Sequence, residues 1–118
     1  MRHTHFTSIE QIREIRPDFD PACLITLHSF GKLAGADYDF EVDAVCQVES
    51  IKTKGRQCRH KHRHGFLGIC TDGKEGLIGS TCGPKYFKDH QGFEAQVARV
   101  TLKRQLDDLT DRLVTGDN

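Results

Sequence analysis

The stretch "DYDFEVDAVCQVES" (residues 37–50) admits few folds. Tyr38, Phe40, Val42, Ala44, Cys46 and Val48 alternate with Asp37, Asp39, Glu41, Asp43, Val45, Gln47 and Glu49. Side chains of an extended chain point to opposite faces in turn, so this period of two predicts one strand with an apolar face and an acidic face. Such a strand needs sheet partners and something apolar to cover it. The chain has 118 residues, enough for a single domain. Hydrophobic residues make up 36% and Trp is absent, so the core is thin and a structural metal would strengthen it.

The flanking segments complete an α+β pattern. "TSIEQIREIRP" predicts a short helix with Ser8 as cap, Gln11 three residues on, and Ile9, Ile12 and Ile15 on one face. "ACLITLHSF" fits strand or helix equally, and "GKLAGAD" reads as a glycine-punctuated loop. "KTKG" is turn-like, with Gly55 free to take a positive φ. Asp72-Gly73 between apolar runs predicts a β-hairpin. A helix is expected to open at Pro84 and stop at Gly116, with Gly92 as a point of interruption. The expectation is one domain over 1–118: a helix-and-loop region over 1–36, a β-rich zinc-binding core over 37–83, and a C-terminal helix over 84–116. The sheet is expected to be small and antiparallel, built of β-hairpins.

The five cysteines, Cys23, Cys46, Cys58, Cys70 and Cys82, are an odd number, which argues against a complete disulfide framework. The start has no apolar stretch of signal-peptide length, and no run approaches the roughly 20 residues that span a bilayer. A reducing cytoplasm is therefore expected, with thiols free or on metal and no membrane partner.

Structural zinc sites are tetrahedra of thiolates and imidazoles. No CxxC pair occurs here, so the case rests on what the hairpins bring together. With Asp72-Gly73 as a two-residue turn, Cys70 faces Glu75 and Phe66 faces Gly79. The base of that hairpin gathers His62 or His64 with Cys82 and leaves Cys70 at the far end. A turn at Thr53-Lys54-Gly55 sets Ser50 opposite Cys58 and Cys46 opposite His62. Together the two registers bring Cys46, Cys58, His62 and Cys82 into one neighbourhood. Cys82 also precedes the predicted helix, where free N–H groups favour a thiolate. Cys23 is expected in the core, His60 exposed or behind the ligands, and His90 on the surface.

"CRHKHRHGFLGICTDGKEGLIGSTCGPKYF" (residues 58–87) resembles zinc-ribbon and treble-clef domains. In those domains a ligand-bearing knuckle leads into a β-hairpin, and a GxxC element closes the site at a helix start; "IGSTCG" fits that element. The resemblance spans about Cys46 to Phe87. It implies a structural zinc module in a nucleic-acid- or protein-binding chain of bacterial or phage type. Here the knuckle carries Cys58 and His62 in place of CxxC, and Lys85 stands where a second Cys or His often sits. The expected zinc ligands are Cys46, Cys58, His62 and Cys82, with His64 or water as alternatives to Cys46.

Lys52, Lys54, Arg56, Arg59, Lys61 and Arg63 form a basic run without an intervening acid, a candidate phosphate-binding surface. Lys+Arg and Asp+Glu balance at 17 each, so no global field draws nucleic acid, and the run also balances the acidic strand. Leu102, Leu106, Leu109 and Leu113 make a short seam, suited to packing on the domain itself or to a homodimer. HExxH, the zinc-deaminase pattern, GxSxG, the P-loop and GxGxxG are all absent. The sequence therefore points to a structural zinc-binding module that contacts nucleic acid or protein. A metal-dependent enzyme with an open zinc site, or a metal-free helix-mediated dimerisation module, is the alternative.

Overall fold

The Ser8 hydroxyl accepts the Gln11 N–H at 3.2 Å and so caps helix α1 (Ile9–Ile15). The computed structural model describes residues 5–88, 90 and 92–115, with side chains of the last helix up to 106 and at 109. After β1 (His5–Phe6) and α1 come β2 (Phe30–Val45), β3 (Lys61–Cys70) and β4 (Glu75–Gly79). Helices α2 (Cys82–Tyr86) and α3 (Phe93–Thr115) follow. The strands form one sheet in the order β1-β2-β3-β4. The β2/β3 and β3/β4 pairs are antiparallel, and β1 adds a parallel edge on β2. The fold is α+β, as the sequence predicts, with a mixed rather than purely antiparallel sheet.

Both faces of the sheet are covered. Ile12 of α1 shares one apolar cluster with Phe6, Tyr38, Leu67 and Leu77. Phe93 and Val100 of α3 share the other with Phe30, Phe66, Ile78 and Phe87. Neighbours such as Phe66 and Leu67 point to opposite faces, so both are buried and the centre of β3 loses polar alternation.

"GKLAGAD" is not a loop. It lies inside β2, so the expected boundary between 36 and 37 falls within a strand. The register shifts between Leu33 and Asp37, and Gly35 supplies the positive φ (73°) there. A second irregularity between Asp39 and Ala44 throws Val42 outward, where it is 69% exposed. Asp37, expected on the acidic outer face, is buried instead: His5 Nδ1 lies 3.0 Å and Arg104 Nη1 3.2 Å from its carboxylate. Glu75 is likewise buried and held by the Arg16 guanidinium, with Nη2 on Oε2 at 3.1 Å.

Both hairpin registers differ from expectation. The β3/β4 turn has three residues, Thr71-Asp72-Gly73, with Gly73 at φ 92°. Cys70 donates to the Lys74 carbonyl at 2.8 Å, and Gly65 rather than Phe66 faces Gly79. In the preceding arm, Ser50 donates to the Arg56 carbonyl at 2.7 Å, which leaves residues 51–55 as the loop. Glu49 then faces Gln57, and Cys58 donates to the Val48 carbonyl at 2.7 Å.

Among the described residues no fifth strand lies along the outer edge of β4, yet its N–H groups are satisfied. Glu75 donates to the Asp18 carbonyl at 3.0 Å, Leu77 to the Gln47 side-chain oxygen at 3.0 Å, and Gly79 to the Cys46 sulfur at 3.5 Å. Gln47, which alternation placed on the outer face, is buried; its amide also donates to the Asp20 and Cys23 carbonyls at 2.8 and 3.0 Å.

The predicted C-terminal helix is divided. α2 begins at Cys82 rather than Pro84, and Gly92, at φ 87°, precedes the start of α3. His90 sits between them against Phe30 and Phe87, with ring centroids 5.1 and 5.8 Å away, so it belongs to the packed layer rather than the surface. Leu102, Leu106 and Leu109 are exposed, while the Leu113 side chain lies outside the described residues.

Candidate metal centre

Cys46, Cys58 and Cys82 come from three segments and meet at the lower end of the β4 edge. Cys46 follows the end of β2, Cys58 lies in the arm paired with residues 48–49, and Cys82 opens α2. Their sulfurs all lie within 4.8 Å of one another, and those of Cys58 and Cys82 are 3.6 Å apart. Zinc–sulfur bonds of about 2.3 Å in a tetrahedron set sulfurs about 3.8 Å apart, close to the Cys58–Cys82 separation, and the other pairs exceed that tetrahedral spacing by at most about 1 Å. The Gly79 N–H aimed at the Cys46 sulfur is the kind of donor that steadies a metal-bound thiolate.

The surroundings of Cys46 and Cys82 favour the thiol over the thiolate. Burial pushes the Cys46 thiol above its usual value, partly offset by the Gly79 and Val48 N–H groups. Burial, then the Cys58 and Cys46 sulfurs, push Cys82 up to about 12. The preference for thiolate expected at a helix start is therefore outweighed. A divalent cation reverses this balance, because each sulfur then faces a positive centre instead of its neighbours.

The histidines are placed differently from one another. Cys46 donates to the His60 carbonyl at 3.1 Å, so His60 lies opposite Cys46 and His62 opposite Ala44. The exposed His60 lines a cleft of about 410 Å³ with Cys58, Cys82, Lys52, Lys85 and Tyr86. His62 lies outside the trio: its Nε2 meets the Tyr38 hydroxyl, and its Nδ1 lies 3.3 Å from the His60 carbonyl. A carbonyl only accepts, so Nδ1 carries the proton and Nε2 accepts from Tyr38. Both ring nitrogens are engaged, and burial lowers the His62 pKa, which keeps the ring neutral. His64 packs edge-on to Phe66, 5.9 Å between centroids. Cys70 lies at the β3/β4 turn, away from the trio and next to Cys23.

The basic residues Lys52, Lys54, Arg56, Arg59, Lys61 and Arg63 are all exposed. Arg63 pairs with Asp43 at 3.1 Å, and Lys52 reaches the cleft wall. Arg59 takes a positive φ of 57°, which turns the chain between Cys58 and β3. Among the described residues no helix is long and apolar enough to cross a membrane. No family model, curated protein or solved structure matches this chain.

Proposed function

We propose that the chain is a structural zinc-binding module of zinc-ribbon or treble-clef type. Zinc on Cys46, Cys58 and Cys82 joins the end of β2, the following arm and α2. The grouping of the three sulfurs within 4.8 Å carries this reading. His60 lies outside the sulfur group, as His62 does, but it lines the cleft with Cys58 and Cys82 and would complete the ligand set by turning its ring towards them, with water as the alternative. The exposed basic residues from Lys52 to Lys61 suit phosphate contact, so nucleic acid is the partner class this surface favours.

The test is elemental analysis of the purified chain with melting curves in the presence and absence of a chelator. One zinc per chain and a lowered melting temperature on chelation are expected. No stoichiometric metal and an unchanged melt would refute the reading. Nucleic-acid binding should weaken steeply with salt, and binding insensitive to salt would remove the phosphate-contact proposal.

A second reading follows from the cleft. A metal with water in fourth place would face this space of about 410 Å³, as an open zinc site for catalysis requires. An exchangeable metal-bound water in the cobalt-substituted protein would favour it; four protein ligands would exclude it.

A further inference from the structure

We propose that Cys23 and Cys70 form a second thiol site, a reversible cross-link closed by low-molecular-weight disulfides of the glutathione class. Their sulfurs lie 3.7 Å apart although the residues are 47 positions apart in sequence. Neither belongs to the trio of Cys46, Cys58 and Cys82. A disulfide needs about 2.05 Å between sulfurs, so closure asks for less than 2 Å of travel, within reach of side-chain adjustment.

The backbones that carry the pair are tied down independently. Cys23, between α1 and β2, donates to the Asp20 carbonyl at 3.0 Å and accepts from the Gln47 amide at 3.0 Å. Cys70, the last residue of β3, donates to the Lys74 carbonyl at 2.8 Å and accepts from Gly73 at 2.9 Å. The Thr71 N–H bonds the Ser29 carbonyl at 2.8 Å, so the segments bearing the two cysteines already touch. The cross-link therefore joins parts that the fold has brought together.

Access fixes the order of the steps. Cys23 is partly exposed, whereas Cys70 is 4% exposed. The Cys23 sulfur attacks the small disulfide, gives up its proton, forms a mixed disulfide and releases one small thiol. The Cys70 sulfur then attacks the Cys23 sulfur of that mixed disulfide, gives up its proton and releases the second small thiol. Two protein thiols lose two electrons and two protons, and the oxidant gains both. Burial and the Cys70 sulfur push the Cys23 thiol up to about 12, so closure is slow near neutrality and faster as pH rises.

The full chain, supplied with zinc, is incubated with oxidised glutathione at mildly alkaline pH, alkylated and mapped by peptide mass spectrometry. A Cys23–Cys70 cross-linked peptide is expected, reversed by dithiothreitol and accompanied by a melting temperature raised by about 5–10 °C. Cys70→Ser should stop at a glutathione adduct on Cys23, and Cys23→Ser should abolish the cross-link. If Cys70→Ser fails to fold, the Cys23→Ser comparison at the partly exposed position still decides. The proposal is overturned if both cysteines remain alkylatable after the incubation, or if the cross-link forms only once the protein is unfolded in urea. Mapping identifies the oxidised cysteines, so oxidation of Cys58 with Cys82 reads as loss of the zinc site and not as support.

Discussion

The backbone N–H of Cys46 donates to the carbonyl oxygen of His60 at 3.1 Å, and this bond sets His60, not His62, across from the buried thiol. The two histidines should therefore fail differently. His60→Ala is expected to change the visible spectrum of the cobalt-substituted protein and to weaken zinc binding by about tenfold or more. His62→Ala should leave that spectrum intact and lower stability by about 1–2 kcal/mol, because the buried Tyr38 hydroxyl loses its acceptor. Cobalt titration and urea denaturation of both variants separate the outcomes; the reverse pattern assigns the fourth position to His62.

Metal affinity should rise steeply with pH. Cys46 and Cys82 both hold their protons above the usual thiol range, and the metal must displace them. Every thiol ligand gives up its proton to the metal, so three cysteines predict a gain of up to about a thousandfold in apparent affinity per pH unit below the thiol range. Competition against a chromogenic chelator across that range measures the slope. A flat profile would mean that the thiols are not the ligands.

The metal-free protein should lose stability at alkaline pH. Burial and Cys70 push Cys23 from 9.0 up to about 12, and burial with the Glu49 hydrogen bond pushes Tyr86 from 10.0 to about 12. Both folded-state values lie above the unfolded ones. The unfolded chain therefore sheds these protons first, and the stability present below about pH 9 is lost as pH climbs towards about 12. Urea midpoints over this range should fall, and Cys23→Ser with Tyr86→Phe should flatten the decline.

Arg16 and Glu75 should be strongly coupled. Glu75 is 5% exposed and has the Arg16 guanidinium as its charged partner among the described contacts. Arg16→Ala strands that carboxylate and is expected to cost about 3–5 kcal/mol. Arg16→Met combined with Glu75→Gln should cost less than Arg16→Ala alone. Chemical denaturation of the three proteins gives the comparison.

The local signals in the sequence carry well into the structure. Ser8 caps α1, Gly55, Gly73 and Gly92 take positive φ, and three of the cysteines converge. Register was not legible, because "DG" serves two-residue and three-residue turns alike. A one-residue difference exchanges the partners of every residue in β3 and β4. In the arm before β3, the two-residue shift preserves which face each residue occupies. Cys58 therefore stays with the trio, while His60 takes the place expected of His62. Gln47 read as an outward polar residue because alternation alone cannot show that an edge strand needs its amide. Cys23 and Cys70 meet only through tertiary structure, and nothing local to either marks the pair.

The Gly79 N–H bond to the Cys46 sulfur ties the candidate metal centre to the edge of the sheet. Along the outer edge of β4, Asp18, Gln47 and Cys46 occupy the acceptor places that an incoming strand would fill. A ligated Cys46 would hold the last of these places more firmly in position. Without a metal the same N–H still meets the Cys46 sulfur, but a thiol is a weaker and less firmly held acceptor than a ligated thiolate, so chelation would make this end of the edge easier for another chain to pair with. A cation joining the three segments would thereby also help to guard the molecule against self-polymerisation.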